Sequence, residues 1–331
     1  MSATRRMLEA ALATSALAFM PACEGAASTL DARGAGAQRI EALWWLVFWI
    51  ATAVFVVVVG FLVVAVARGR RRDVEVPKDV PWGEQFIVVA GVILPALVLV
   101  AVFALSLGDI RALSATGNQA RLEIEVRSHD WWWEARYPNG AVTANEIHIP
   151  VGEPVSLRLV TADVIHSFWV PRLQAKTDHI TGRVNRMWLE AAEPGRYRGQ
   201  CAEFCGLQHA NMAFYIVAEP RARFEAWIEE AAVPAEPATG SAAAGEGVFL
   251  RSTCVGCHTI RGTPARAQVG PDLTHLATRE TLFAGTVANT PANLETIVTD
   301  PQSLKPGVDM PPTELAPGEL QALLVYLEQL R

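Results

Sequence analysis

No basic stripe that could grip nucleic acid runs through this 331-residue chain, whose formal charge of −6 is mild and spread out. Cysteine is scarce as well. Of five, four fall in two tight motifs and only Cys23 stands apart, so no pair is left for a structural disulfide. There is no internal repeat. Charge is also missing from two long stretches: residues 42–67 run 26 positions and residues 85–108 run 24 without Asp, Glu, Lys or Arg. Each exceeds the ~20 residues that cross a bilayer. A buried core helix is the alternative, and it is uncommon at this length. The two stretches account for a mean hydropathy of +0.23 and an apolar content of 51%. Neither contains a His, so neither can hold a metal or haem by imidazole.

The spacing predicts a transmembrane helix hairpin over residues 40–110. Its connection carries Arg68, Arg70, Arg71, Arg72 and Lys78. The positive-inside rule places that connection in the cytoplasm, and everything from Asp109 on outside it. This is the topology of a two-pass protein of the bacterial inner membrane, with the N-terminus on the outer face. Trp44, Trp45, Trp49 and Trp82 lie where an interfacial aromatic belt is expected. Pro95 is tolerable inside a membrane helix. Residues 1–25 read as an export signal: Arg5 and Arg6, an apolar run to Met20 that Glu9 weakens, then small residues. Met20-Pro21-Ala22-Cys23 loosely matches a lipoprotein cleavage box, which would leave Cys23 lipidated; a bystander thiol is the alternative.

Residues 111–230 alternate short apolar runs with turn signals. Strands are expected at 121–127, 146–149, 154–160, 186–190 and 214–218, separated by Pro138-Asn139-Gly140, Val151-Gly152-Glu153-Pro154 and Glu193-Pro194-Gly195. The spacing predicts an all-β Greek-key sandwich. A short helix is expected at 221–230, an Ala-, Pro- and Gly-rich linker at 231–244, and a compact helical domain at 245–331. Leu320, Leu323, Leu324 and Leu327 recur at helical period in its last segment.

Residues 201–212 read Cys-Ala-Glu-Phe-Cys-Gly-Leu-Gln-His-Ala-Asn-Met. Cys201, Cys205, His209 and Met212 offer two thiolates, an imidazole and a thioether, and His166 lies upstream. Soft sulfur with imidazole suits copper rather than hard cations. Two Cys four apart can bridge one pair of ions, one His per copper completes the core, and Met212 and the Glu203 carbonyl tune the potential. Taken singly, a Cys-x3-Cys pair is more often zinc, a disulfide or coincidence, and zinc remains the competing metal.

Cys254-Val-Gly-Cys257-His258 reads as covalent c-type haem attachment. The two thiols form thioethers and His258 supplies the proximal nitrogen. Met310 is the only methionine after Met212 and is the expected distal ligand, with His275 competing. Methionine/His ligation raises a haem's potential.

These motifs carry a resemblance. Trp131-Trp132-Trp133, Asp163, His166-Ser167-Phe168-Trp169-Val170-Pro171, Lys176-Thr177-Asp178 and the Cys201–Met212 loop resemble subunit II of haem–copper cytochrome c oxidases. With the fused haem domain, roughly residues 40–331 resemble the caa3 type. The resemblance implies a multidomain chain: a two-helix transmembrane hairpin, a cupredoxin-like domain and an all-α class I cytochrome c domain. It implies a dinuclear CuA centre receiving electrons from haem c and passing them to haem a in subunit I, for reduction of O2 to water coupled to proton pumping. It gives Glu203 a carboxylate role toward a Mg2+ shared with subunit I. Asp163 becomes a partner that orients the His166 region, Trp131 the residue through which electrons arrive, and Pro271 the carbonyl that orients His258. The implied partners are subunit I with haem a and haem a3–CuB, subunit III, an upstream cytochrome c or quinol:cytochrome c reductase, and the lipid membrane. The chain has no oxygen-reducing site of its own.

Two departures stand out. Asp130 precedes Trp131 where family members commonly carry Gln. Val88 holds roughly the place of a membrane Glu used for proton uptake, with Glu84 one turn earlier. The competing readings are a subunit of a nitric oxide reductase and a free-standing electron carrier.

Overall fold

The computed structural model describes residues 25–70, 82–116 and 120–331. Residues 1–24 of the expected signal segment, with Cys23, and Arg71, Arg72 and Lys78 of the connection, lie outside the described residues.

The uncharged stretches form long helices. Helix α1 spans Ala35–Gly69. The second span runs as α2 (Gly83–Val88), a π-helical segment (Val89–Ile93) and α3 (Leu94–Thr116). The π segment lies just before Pro95, whose ring removes one backbone N–H and crowds the preceding turn; the widened turn absorbs that clash. Val54, Phe55, Leu97 and Phe103 are each more than half exposed. Helices that are apolar all round suit a lipid surround. Both open ends of the hairpin reach the β-domain, and Arg39 ties the two helices together by pairing with Asp109 at 3.5 Å. Trp188 Nε1 of the sandwich donates to Leu113 O at the end of the second span. Arg33 N donates to Arg172 O at 2.7 Å and Ala37 N to Leu173 O at 3.1 Å.

The β-domain is a sandwich of two five-stranded sheets. One has the order β3 (Val142–Ala144), β2 (Trp132–Arg136), β1 (Leu122–His129), β5 (Val155–Thr161), β8 (Asn185–Leu189). The other has the order β4 (Glu146–Pro150), β10 (Ala213–Glu219), β9 (Gly195–Cys201), β6 (His166–Trp169), β7 (Thr177–His179). Only β1–β5 and β4–β10 pair in parallel. Ile124 and Val126 of β1, and Val155, Leu157 and Leu159 of β5, alternate inward at period two and are fully buried. Trp133 sits at the centre, edge-on to Phe168 at 5.7 Å and tilted against Phe214 at 5.0 Å. Burying each such aromatic contributes about 1.5–3 kcal/mol. The five expected strands are present within one or two residues, and β2, β3, β6, β7 and β9 add to them.

Helix α4 (Arg221–Ala232) follows β10. The last domain contains α5 (Ser241–Arg251), α6 (Pro291–Thr299), α7 (Pro301–Leu304) and α8 (Pro317–Gln329). Helices α5 and α8 cross, with Phe249 and Tyr326 rings 6.2 Å apart. A two-residue ladder, β11 (Thr281–Leu282) against β12 (Val287–Ala288), lies among these helices. Between the helices the connection runs over 233–240, since α4 ends at Ala232 and α5 starts at Ser241. That connection is also held down: Arg261 donates to Ala231 O and Ala232 O at 2.6 and 2.9 Å, and Ala235 N to Arg261 O at 2.9 Å.

Candidate metal centre and haem cavity

The 201–212 loop joins β9 to β10, and its ends are closed by Cys201 N donating to Met212 O at 3.0 Å. His166 opens the neighbouring strand β6, where Phe168 pairs with Cys201. Sheet register therefore brings together residues 35 apart in sequence. His166, Cys201, Cys205 and Met212 are all buried. The Cys201 and Cys205 sulfurs lie 3.7 Å apart. His166 Nδ1 faces Cys201 Sγ at 3.9 Å, and His209 Nδ1 faces Cys205 Sγ at 3.5 Å. Met212 Sδ is 3.7 Å from Cys205 Sγ, and the Glu203 carbonyl 3.3 Å from Cys201 Sγ. Each sulfur thus has its own imidazole and one weak donor.

The electrostatics suit a cation between the thiols. The Cys205 thiol pulls Cys201 well below the usual range, burial opposes this, and His166 adds to the fall. The hydrogen bond to Cys201, then burial, push Cys205 up. A metal bound here would let both sulfurs ionise. Asp163 is itself well anchored: its carboxylate accepts from Asp130 N at 2.7 Å, Val164 N at 2.8 Å and His166 Nε2 at 2.7 Å. Burial would raise its pKa, but those bonds hold it below the usual value.

Trp131 leaves the sandwich beside the loop. Its Nε1 donates to Cys205 O at 2.8 Å. Its ring covers Gly206, where φ is +107° and a Cβ would lie 3.3 Å from the indole; only glycine meets both demands. Trp131 also lines a cavity in the last domain together with Cys254, Cys257, His258, Pro271 and Met310. His258 Nδ1 donates to Pro271 O at 2.8 Å, which leaves Nε2 free for a metal. A Cβ at Gly270 would fall 2.5 Å from the His258 ring, so this glycine sets the ring's place. The donor set and the cavity fit a haem. His275 does not share that cavity: its Nε2 donates to Val233 O at 3.0 Å. That removes it as the competing distal ligand.

Three residues escaped the sequence reading. Arg279 lines the cavity, and burial pushes its pKa down. Its guanidinium donates to the Asp272 carbonyl and has no carboxylate partner among the described ion pairs, so it is a half-buried cation suited to an acidic group of a bound ligand. Glu146 of β4 accepts from Glu280 N at 3.0 Å, Thr281 N at 3.3 Å and Arg196 at 2.9 Å, joining the two domains. Lys305, which follows α7, is 2% exposed and reaches the 201–212 loop. No short-range pattern marked any of them.

A sulfur-and-imidazole metal loop and a c-type haem motif, facing one shared tryptophan above a membrane hairpin, define a membrane-anchored electron-transfer protein. A family signature described as cytochrome c oxidase subunit II, periplasmic domain, matches residues 141–219, and one described as cytochrome c matches residues 242–331. Cytochrome c oxidase subunit 2 of Alkalihalophilus pseudofirmus is 36% identical over 326 residues, covering 95% of this chain and 94% of the relative. The Bacillus subtilis protein of the same name is 31% identical, covering 92% of each chain. The solved periplasmic domain of subunit II of cytochrome oxidase from Bradyrhizobium japonicum is 32% identical, covers 34% of this chain and 94% of that one, and has a TM-score of 0.33. The chain belongs to the cytochrome c oxidase subunit 2 family. It is an electron-transfer subunit of a haem–copper oxidase and works with a subunit I.

Proposed function

We propose that His166, Cys201, Cys205, His209, Met212 and the Glu203 carbonyl hold a dinuclear CuA centre. In this reading Cys254, Cys257, His258 and Met310 hold a covalent haem c, and electrons cross between the two through Trp131. Trp131 carries the reading: this one residue lines the haem cavity, and its indole donates to the backbone of a copper-loop cysteine. When bound, the two groups supply one-electron couples, the haem losing the electron that the copper pair gains.

The chain's own residues set the terms of that transfer. Asp163 holds the His166 ring through Nε2 and keeps Nδ1 turned to Cys201. Pro271 does the same for His258. Burial of Cys201, Cys205 and Met212 keeps water away, so little solvent must reorganise. A single zinc ion is disfavoured by the division of donors. The ligand atoms of His166, Cys201 and Cys205 lie within 4.8 Å of one another, and His209 stands outside that group.

The Glu203 carboxylate is half-exposed and 3.7 Å from Lys176 Nζ, a position open to a Mg2+ completed by subunit I. In this reading haem a of subunit I would take the electrons onward, and haem a3–CuB there would supply the chemistry of O2 reduction. The sandwich and haem domain face the periplasm, where an upstream cytochrome c or quinol:cytochrome c reductase supplies electrons, with subunit III as a further neighbour. With Val88 in place of an acid, proton uptake falls to the partner.

The test is EPR with parallel optical spectra on the full-length protein, matured with haem c and loaded with copper. The expected result is one unpaired electron shared by two equivalent coppers beside a low-spin c-type haem. A mononuclear or silent copper beside intact haem overturns the reading.

A further inference from the structure

The haem domain is seated on the copper loop by an unusual contact. Lys305 Nζ donates to Trp131 O and Asn211 O at 2.8 Å each, and to Phe283 O at 3.3 Å. The first two carbonyls belong to the copper domain and the third to the haem domain. All three ammonium protons are used, and no carboxylate pairs with Lys305 among the described ion pairs. Burying a cation without a counter-charge costs several kcal/mol. A plain packing role would be met more cheaply by an apolar side chain. Its partners are also not interchangeable. Trp131 spans the haem cavity and the loop, Asn211 precedes the ligand Met212, and Phe283 begins a turn in which Phe283 and Ala284 both have left-handed backbone, φ +50° and +57°. Such residues persist only where their surroundings hold them. Ala284 O accepts from Ala213 N at 3.0 Å, and Pro306 O accepts from Gln208 Nε2 at 2.6 Å.

We propose that Lys305 is a positioning residue for haem-to-copper electron transfer: its three backbone bonds hold the two domains in the one placement where Trp131 faces both sites. The inference rests on the copper and haem reading above and adds a residue to it. The step served moves one electron, oxidising haem iron and reducing the copper pair, and no bond or proton changes place.

The test uses the full-length protein in detergent with both groups loaded. Its spectra come first, because a missing shared-copper signal or missing c-type haem is a failure of the metal reading and not of Lys305. Two measurements follow. The chain has three lysines, Lys78, Lys176 and Lys305. Lys176 is half-exposed, so an acylating reagent read by mass spectrometry is expected to label Lys305 at least about tenfold more slowly. Equal labelling overturns the proposal without any variant. In Lys305→Met the haem-to-copper rate after flash photoreduction is expected to fall on the order of tenfold or more with both spectra unchanged, as misplacement of positioned groups does. Lys305→Gln, which keeps two N–H donors, is expected to restore part of the rate. A Met variant with normal spectra and an unchanged rate overturns the proposal, and so do Met and Gln variants that lose the rate equally.

Discussion

His166 donates from Nε2 to Asp163 Oδ1 at 2.7 Å while its Nδ1 looks at Cys201 Sγ from 3.9 Å. One ring nitrogen is thus committed to a carboxylate, and the other faces a thiol, where it would serve the proposed metal. The carboxylate fixes tautomer and ring angle together.

Asp163→Asn leaves the ring less firmly aimed. Copper affinity is expected to fall about 10–100-fold, the usual effect of losing such a partner. A competition titration against a copper chelator measures it, and an affinity equal to that of the unmodified protein refutes the role.

Cys201 and Met212 are expected to respond differently. Cys201→Ser removes a bridging thiolate and should abolish the shared-electron EPR signal. Met212→Leu removes only a weak donor, so two coppers should remain while the potential shifts. Metal analysis and redox titration of both variants decide it; identical titrations in the two would sink the copper assignment.

Met310 is predicted to be an iron ligand. Met310→Leu should retain covalently bound haem, because Cys254 and Cys257 are untouched, but lower its potential and open the iron to added cyanide. An unaltered potential with no cyanide binding would remove Met310 from the site.

His179 gives the fold a pH dependence. Its ring is fully buried, Nδ1 donates to Val160 O at 2.7 Å, and burial pushes its pKa down to about 4. The unfolded chain binds this proton near pH 6.5 and the folded one refuses it until about pH 4, so the unfolded state holds more protons between these values. Stability is therefore intact above about pH 6.5 and declines as pH falls toward 4, by about 3 kcal/mol from this group. Thermal melts across that range should show a shallower decline in His179→Gln. Parallel declines would mean that His179 is not the group responsible.

Much of the site was legible because it is local. The candidate ligands of Cys201–Met212 and Cys254–His258 fall within one loop or turn each, and spacing alone proposes them. His166 needed only the register of β6 against β9. The missed strands had weaker signals. In β2, Glu134 and Arg136 interrupt an aromatic run, although Glu134 is itself buried. Strand β9 does alternate, with Tyr197, Gly199 and Cys201 inward, but its glycines and arginines hide the pattern. Lys305 and Glu146 could not be read at all. Their meaning lies in partners 174 and 134 residues away, and nothing in the neighbouring sequence encodes them.

The short connection after α4 carries a last consequence. A donor on a slack tether would meet its acceptor at about millimolar effective concentration and lose orientational freedom anew with each encounter. Here Arg261 straps Ala231 and Ala232 down, and only residues 233–240 separate the two helices. The entropy of bringing donor to acceptor is surrendered once, when the chain folds. Haem-to-copper transfer in such a protein should be indifferent to dilution and to salt, leaving diffusion to limit only the arrival of electrons from outside.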